Sequence, residues 1–260
     1  MDGIRRDNEI IHWDTPPVFL SMPDNEAHIW RVTMDPPPRT PNAIQALTLE
    51  EQARLAAFQN ADRAAQFTVL RTALRQILSL YAEVPPIMLR LIHDRMGRPV
   101  MAPGQPGDGL HFSIAHSRVI GLIAVTRAGP IGVDVEFMRA DRDFSAIAGR
   151  FFLSTEARIL SAMSGDAQRI AFYRSWTIKE ACLKAMGLGL AEGLAAVETN
   201  PDPAAPPHTV RVRGENAAVS WELAILQTAR EYAAAAALQG PRVYWRGFTW
   251  SPDYPLFQAW

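Results

Sequence analysis

The spacing of apolar residues predicts two helices in the first third of the chain. From Thr48 onward, apolar residues recur every three or four positions, and a second run with this spacing follows Asn60 and continues to Tyr81. Thr48 and Glu51 have the pattern of a capping box, which marks the start of the first helix. Before them, the stretch His28–Met34 is typical of a strand.

The middle of the chain alternates in the manner of strands. A loop at 127–130, rich in glycine and proline, predicts a hairpin between the last two of these strands. The predicted strands are Met88–Ile92, His111–Ala115, Val119–Thr126 and Ile131–Phe137.

A second helical region begins near Phe144 and resembles the first. Ser154 with Glu156 predicts the start of a short helix, and a longer one runs from Asp166 to Gly187. Strand patterns return in 209–213, 218–225 and 232–238. At one constant offset Thr48, Glu50, Arg63 and Phe67 match Ser154, Glu156, Arg169 and Tyr173. The match indicates two related α/β halves.

Composition excludes several classes of protein. The 260 residues are 48% hydrophobic with a net charge of -1, which argues against a nucleic-acid-coating or membrane-surface protein. No segment approaches the roughly 20 apolar residues of a membrane span. The single cysteine, Cys182, cannot form an internal disulfide, and no Cys/His cluster has zinc spacing. A cytoplasmic protein is expected.

Strict alternation in the segment 131–136, IGVDVE, places Asp134 and Glu136 on one face of a strand. The two carboxylates would lie about 6–7 Å apart along that strand. Such neighbours are unfavourable without a cation between them, and their oxygens suit magnesium. An edge strand with a solvated polar face explains the same pattern.

Trp176, Glu180 and Lys184 recur every four residues along one helical stripe. The stripe is consistent with a metal ligand beside a phosphate-binding lysine, but taken alone it favours a packed tryptophan flanked by a surface ion pair. Only Lys179 and Lys184 are lysines in the whole chain. His116 at a strand end indicates no function when it is taken alone.

Taken in order, these segments resemble the larger, two-repeat 4'-phosphopantetheinyl transferases, which activate polyketide and nonribosomal peptide synthetases. The matching segments are GRP at 97–99, FSIAHS at 112–117, IGVDVE at 131–136 and WTIKEACLK at 176–184. The helical stretch 63–81 is similar to the family's N-terminal half. The resemblance covers roughly Leu47 to Leu190.

The resemblance implies an α+β fold made of two similar α/β halves in a pseudo-twofold arrangement. Each half would be a small, mainly antiparallel sheet packed on a long helix. The N-terminal half would comprise residues 1–126 and the C-terminal half, with the metal site, residues 127–260. The active site is expected in the cleft between the halves of a monomer.

The resemblance also implies the roles of the acidic residues. Asp134, Glu136 and Glu180 would hold magnesium, or manganese, on the pyrophosphate of the co-substrate coenzyme A. Lys184 would contact the phosphates and belongs with Glu180 and Glu136 among the expected catalytic residues. Glu180 is the expected general base for the attacking serine, with Glu136 as its competitor.

For the nucleotide, the resemblance assigns Arg98 and His116 to the 3'-phosphate, and Ser117, Arg63 and Arg71 to further coenzyme A contacts.

The chain departs from the family in three ways. Ala115 stands where serine is frequent, Arg118 where a small residue is frequent, and Arg98 where lysine is usual. These changes leave every expected metal ligand in place, so an active enzyme is expected.

The implied partner is an apo acyl or peptidyl carrier protein, with neither nucleic acid nor membrane involved. The arginine-containing stretch 137–150 is a candidate receiving surface, or else a solvated helix of mixed charge. A metal-dependent nuclease or phosphodiesterase is an alternative function, although the net charge gives little support for a basic groove. A non-catalytic coenzyme A-binding protein is another, against which the full set of expected ligands argues.

Overall fold

The computed structural model describes residues 11–17, 19–35, 46–189, 193–202, 210–212 and 220–253. The helices in these ranges are α1 (Leu49–Ala56), α2 (Ala61–Ala82), α3 (Phe144–Phe151), α4 (Ser154–Ser161) and α5 (Gly165–Ala185). The strands are β1 (Trp13–Asp14), β2 (Glu26–Thr33), β3 (Leu91–His93), β4 (Pro99–Met101), β5 (His111–Ser117), β6 (Ile120–Thr126), β7 (Ile131–Phe137), β8 (Val197–Glu198), β9 (Arg211–Val212), β10 (Trp221–Ile225), β11 (Tyr232–Gln239) and β12 (Tyr244–Thr249).

The described residues form two compact units. The first unit contains residues 13–128 and 243–253, and the second contains residues 11–12 and 129–242. In the described part of the chain, no helix combines the length and the apolar character that crossing a bilayer would require.

The first unit packs α2 on a mixed sheet. The sheet has the order β1-β12-β2-β6-β5, in which β12 runs parallel to both β1 and β2 and the remaining pairs are antiparallel. Leu74, Ile77 and Leu78 of α2 are fully buried against Trp30 and Ile123 of the sheet. The aromatic C-terminal segment enters this core through Phe248 and Trp250.

The second unit packs α5 on an antiparallel sheet of order β10-β11-β7. Its core joins the aromatic residues of α3 and α5 to a run of alanines on β11. Together the units confirm the predicted α+β class, with a long helix against a small sheet in each.

Local signals in the sequence fix several helix ends. Thr48 and Glu51 form the predicted capping box, and the side chain of Asn60 accepts a hydrogen bond from Arg63 N at the start of α2. Helix α4 begins at Ser154 as predicted; Leu153 is its cap residue, and the Glu156 carboxylate accepts from Leu153 N. Gly187 has φ of 72° just beyond α5, as a helix-terminating glycine should.

Two predictions about strands are wrong. Strands β6 and β7 do not form a hairpin, because β6 is already paired on one edge with β2 and on the other with β5, while β7 pairs with β11. The predicted strand Met88–Ile92 begins instead as a 3-10 turn at Pro86–Met88, and β3 starts only at Leu91. The ends of the predicted strands 209–213 and 218–225 lie outside the described residues.

Candidate active site

Strand β7 places Asp134 and Glu136 on the face that α5 covers. Gly132 lies on the same face, and a Cβ there would come within 1.9 Å of the Ala181 carbonyl oxygen. Strand and helix therefore approach so closely that only glycine fits between their backbones. This approach brings residues of α5 within reach of the carboxylates on β7.

The partner strand supports the same approach. Ala235 pairs with Asp134 and Ala233 pairs with Glu136 in the antiparallel register of β11 and β7. Cross-strand partners share a face of the sheet, so small methyl groups stand beside both carboxylates. The alanine run leaves room for α5 and for the acidic side chains beneath it.

Asp134 is 5% exposed, and its carboxylate forms an ion pair with Lys184 of α5. Its Oδ1 atom accepts a hydrogen bond from Lys184 Nζ at 2.7 Å, and the same ammonium donates to the Val133 carbonyl oxygen at 3.1 Å. Asp134 Oδ2 is buried and has no hydrogen-bond partner among the described residues. One oxygen of this carboxylate thus has a cation, and the other has no donor in the described structure.

Glu180 of α5 shares the electrostatic environment of the β7 carboxylates. Burial is the main cause that raises the pKa of Glu180 to about 7, followed by the charges of Asp134 and Glu136, while the charge of Lys184 acts in the opposite direction. A carboxyl group with such a pKa is destabilised as an anion by its surroundings. A divalent cation would relieve that destabilisation.

The carboxylates of Asp134, Glu136 and Glu180 are not arranged as a complete set of metal ligands. Within the described ranges, no group of three or more His, Cys, Asp or Glu side chains is arranged to hold a metal ion. Asp134 Oδ1 forms its ion pair with the Nζ atom of Lys184. The predicted ligands are therefore close enough to influence one another electrostatically without converging on one point.

The remaining members of the α5 motif are structural. Trp176 packs among Phe151, Phe152 and Phe172, with ring centroids 5.7–6.4 Å away. Lys179 is 0% exposed; it pairs with Glu156 at 2.8 Å and donates to the carbonyl oxygens of Leu194 and Val197. The two lysines of the chain therefore have different surroundings, and Glu156 is a partner that the sequence pattern did not reveal.

In the first unit, Arg98 and His116 lie on neighbouring hairpins. Arg98 follows the β3–β4 turn, where Asp94 accepts from its Nε at 3.1 Å and from its Nη2 at 2.9 Å. His116 is exposed near the end of β5, and the adjacent Ser117 is half-buried. Arg118 follows with φ of 48°, a left-handed conformation at the β5–β6 turn.

The two arginines predicted on α2 differ in their surroundings. Arg63 is exposed in the first turn of the helix. Arg71 is largely buried, and its Nε lies 3.3 Å from Glu51 Oε1. Burial lowers the pKa of Arg71, and the charge of Glu51 partly compensates for that effect. Of the two, Arg63 is the more accessible to a ligand.

The stretch 137–150 offers less to a partner than its sequence suggests. Phe144 is 6% exposed and packs against Phe172 and Tyr173, so it is a core residue. The guanidinium of Arg139 is held by Asp141 through two bonds of 2.9 and 2.6 Å. A separate cavity of about 490 Å³ lies farther along α5, lined in part by Ile170, Arg174 and Thr177; none of the candidate carboxylates lines it.

Comparison with known proteins gives matches over most of the chain. Residues 130–237, which contain all four candidate residues of the second unit, match the model of the 4'-phosphopantetheinyl transferase superfamily. The chain is 31% identical over 243 residues to the 4'-phosphopantetheinyl transferase HetI of Nostoc sp., covering 93% of this chain and 97% of HetI.

Two further relatives match over shorter lengths. A candidate 4'-phosphopantetheinyl transferase of Synechocystis sp. is 33% identical over 172 residues, covering 66% of this chain and 69% of the relative. The human L-aminoadipate-semialdehyde dehydrogenase-phosphopantetheinyl transferase is 26% identical over 171 residues, covering 62% of this chain and 55% of the relative.

Proposed function

This chain belongs to the 4'-phosphopantetheinyl transferase superfamily and is an enzyme of that class, and we propose that Asp134, Glu136 and Glu180 form its catalytic metal site. The reaction transfers the 4'-phosphopantetheine arm of coenzyme A to a serine of an apo acyl or peptidyl carrier protein. The second product is 3',5'-adenosine bisphosphate. The observation that carries the proposal is the buried Oδ2 atom of Asp134, which has no hydrogen-bond partner in the described structure, beside Glu180, whose pKa is raised by burial and by the charges of Asp134 and Glu136.

The chemistry of these residues fits a magnesium ion. Three carboxylates supply the hard oxygen ligands that magnesium prefers, and manganese accepts the same set. Asp134 Oδ2 has no hydrogen-bond partner in the described structure, so a metal would satisfy a buried acceptor. The raised pKa of Glu180 indicates that its carboxylate would gain from a nearby positive charge. When bound, magnesium would neutralise the pyrophosphate and so improve the leaving group.

We assign the proton transfer to Glu180. The serine oxygen must lose its proton as it bonds to phosphorus and as the phosphorus–oxygen bond to the departing nucleotide breaks. The ionised Glu180 carboxylate would accept that proton, directly or through one water. Glu136 is the competing candidate, because it lies half-buried on the same face of β7 as Asp134.

Three side chains have the chemistry to bind the phosphates. Lys184 stands beside the carboxylates, and its flexible stem lets the ammonium meet a pyrophosphate oxygen. Arg98 is oriented by its two bonds to Asp94, which reduces the entropy that a phosphate contact would cost. His116 is exposed, and we propose that it binds the 3'-phosphate together with Arg98.

The other predicted nucleotide contacts have unequal support. Ser117 adjoins His116 and carries a hydroxyl group suited to a phosphate oxygen. Arg63 is exposed and stays a proposed contact. Arg71 has weaker support, because it is buried and already pairs with Glu51.

Intact-mass measurement of an apo carrier protein tests the function directly. Incubation with the enzyme, coenzyme A and magnesium should add about 340 Da to the carrier, and a chelator should prevent the gain. Asp134→Asn should abolish the gain, whereas the matched control Asp141→Asn should preserve it, since Asp141 is exposed and pairs with the exposed Arg139. Unchanged turnover in Asp134→Asn would contradict the metal assignment.

A further inference from the structure

We propose that Lys184 is an internal cation that holds Asp134 until a divalent metal replaces it, and that its release couples metal binding to phosphate binding. The inference rests on the proposed metal site and adds a mechanism by which that site is kept stable and then filled. The observation behind it is the partner of Lys184, which is a predicted metal ligand rather than a group at the protein surface.

The ion pair of Lys184 and Asp134 is short and largely shielded from solvent. Lys184 Nζ lies 2.7 Å from Asp134 Oδ1 and 3.1 Å from the Val133 carbonyl oxygen. The Asp134 side chain is 7% exposed and that of Lys184 is 21% exposed. Lys184 also lies in the last turn of α5, where the helix dipole favours a positive charge. The ammonium therefore neutralises a carboxylate that would otherwise be buried as an unpaired anion.

A divalent cation on Asp134 would meet this ammonium at very short range. The two oxygens of one carboxylate are too close together for an ammonium and a dication to bind them without strong repulsion. Metal binding at Asp134 Oδ2 should therefore weaken or break the bond at Oδ1. The free energy of breaking that ion pair is subtracted from the affinity for the metal.

Release of the ammonium makes the second step favourable. Lys184 has a flexible four-carbon stem, so its Nζ can move from Asp134 to a phosphate oxygen brought next to the metal. The metal and the phosphate ligand then strengthen one another's binding by equal factors, as thermodynamic linkage requires. When the metal binds without a phosphate ligand, its affinity is not increased in this way, because the displaced ammonium has no phosphate oxygen to bind.

The other lysine of α5 shows why the role falls to Lys184. Lys179 is 0% exposed, and its ammonium contacts Glu156 and two backbone carbonyl oxygens. An ammonium has three protons, so all of them have acceptors in this buried position. The Lys184 side chain is 21% exposed, so water can solvate its ammonium while it changes partners, which lowers the cost of that change.

Binding of Mn²⁺, followed by the electron paramagnetic resonance of the free ion, tests the inference without an activity assay. Wild type, Lys184→Met and the control Arg139→Met are each titrated with Mn²⁺ alone and again with saturating 3',5'-adenosine bisphosphate. Arg139 is a cation of the same unit, and its guanidinium pairs with Asp141. The control therefore separates the specific ion pair from a general loss of positive charge.

Lys184→Met should bind Mn²⁺ alone about tenfold more tightly than wild type, because the competing cation is gone. The nucleotide should tighten Mn²⁺ binding less in this variant than in wild type. Arg139→Met should stay within about twofold of wild type, because its charge is screened by solvent. If Lys184→Met does not fold, Lys184→Gln keeps a donor for the Val133 carbonyl oxygen and should show the same direction of change.

Unchanged or weaker Mn²⁺ binding in the Lys184 variant would overturn the inference, and so would equal tightening in Arg139→Met. Asp134→Asn separates this failure from failure of the metal site itself. If Asp134→Asn loses Mn²⁺ while Lys184→Met equals wild type, only the role of Lys184 is wrong. If wild type and Asp134→Asn bind Mn²⁺ alike, the metal assignment is wrong, and the inference falls with it.

Discussion

Each unit of the protein contains the same arrangement of a glutamate and a cation beneath its long helix. In the first unit, Glu51 accepts from the backbone N–H of Thr48 at 2.9 Å and from Arg75 Nε at 2.6 Å. Arg75 also donates to the carbonyl oxygens of Pro86, the first residue of a 3-10 turn, and of Leu89, the residue after that turn. One charged pair thus connects a short helix, a long helix and the following turn.

The second unit builds this connection from different residues. Glu156 accepts from the backbone N–H of Leu153 at 2.9 Å and from Lys179 Nζ at 2.8 Å. Lys179 donates to the carbonyl oxygens of Leu194 and Val197, again around a 3-10 turn. The contacts therefore equate Glu51 with Glu156, whereas the sequence match had paired Glu156 with Glu50.

The two arrangements differ in their access to water and in their additional donors. The side chain of Glu51 is 11% exposed and also approaches Arg71, so two arginines share its charge. That of Glu156 is 2% exposed, and its second oxygen accepts from Thr199 N and Oγ1, at 2.6 and 2.8 Å. Among the described residues, the second unit thus balances a more deeply buried anion with one cation, Lys179, which adjoins Glu180 in sequence.

The largest expected effect comes from removing that single cation. Lys179→Met should lower the free energy of unfolding by about 3–5 kcal/mol, because it leaves Glu156 buried without a counter-ion. Arg75→Met should cost about 1–2 kcal/mol, since Glu51 keeps Arg71 and some contact with water. Urea unfolding of both variants measures the difference. Equal losses would mean that the carbonyl contacts, present in both units, dominate over the charge.

A glycine under each long helix gives the second comparison. A Cβ at Gly132 would lie 1.9 Å from the backbone oxygen of Ala181, whereas a Cβ at Gly121 would lie 2.6 Å from the side-chain Cδ1 atom of Leu70. A leucine side chain can rotate away, but the backbone of α5 can yield only if the helix moves.

Gly132→Ala should therefore destabilise the protein by about 3 kcal/mol or slightly more, and Gly121→Ala by about 1 kcal/mol. Gly132→Ala should also abolish arm transfer, because α5 carries Glu180 and Lys184. Gly121→Ala should keep most of the activity at a temperature where it is folded. Thermal unfolding together with the carrier-protein mass assay checks both statements, and a mild Gly132→Ala would contradict the close approach of β7 and α5.

Local features of the structure could be predicted from the sequence, and long-range ones could not. The capping box at Thr48 and the bounds of β7 at Ile131 and Phe137 follow from patterns within a few residues. The pairing of β7 with β11 joins residues about a hundred positions apart, so the nearby loop at 127–130 wrongly favoured a hairpin with β6.

The same limit applies to the candidate site. An Asp-x-Glu strand and a helical stripe identify carboxylates that share a face, but not the atoms that each side chain contacts. The bond from Lys184 to Asp134 spans 50 positions, and that from Lys179 to Val197 spans 18. Both depend on how α5 packs, and two lysines of one motif therefore have roles that their spacing does not distinguish.

The smallest expected effect is a difference in the response of the two units to acid. In the first unit, His28 is fully buried. Its Nδ1 atom lies 2.8 Å from Tyr81 Oη, and its Nε2 atom lies 2.8 Å from Glu26 Oε2. Arg246 approaches the same glutamate oxygen at 3.6 Å. Burial lowers the pKa of His28, against a smaller opposing effect of Glu26. In the second unit, burial and neighbouring carboxylates raise the pKa of Glu180 to about 7.

These shifts have opposite consequences for stability between pH 7 and pH 5. Unfolded histidine takes up a proton near pH 6.5, where the folded state still resists it, so His28 makes the protein less stable as the pH falls. Glu180 binds a proton in the folded state at a pH where the unfolded carboxyl group does not, so it makes the protein more stable as the pH falls. His28→Gln should move the pH of maximum thermal stability downward and Glu180→Gln should move it upward, in buffers that contain a chelator. Shifts in the same direction would show that one of the two buried groups does not titrate as its surroundings predict.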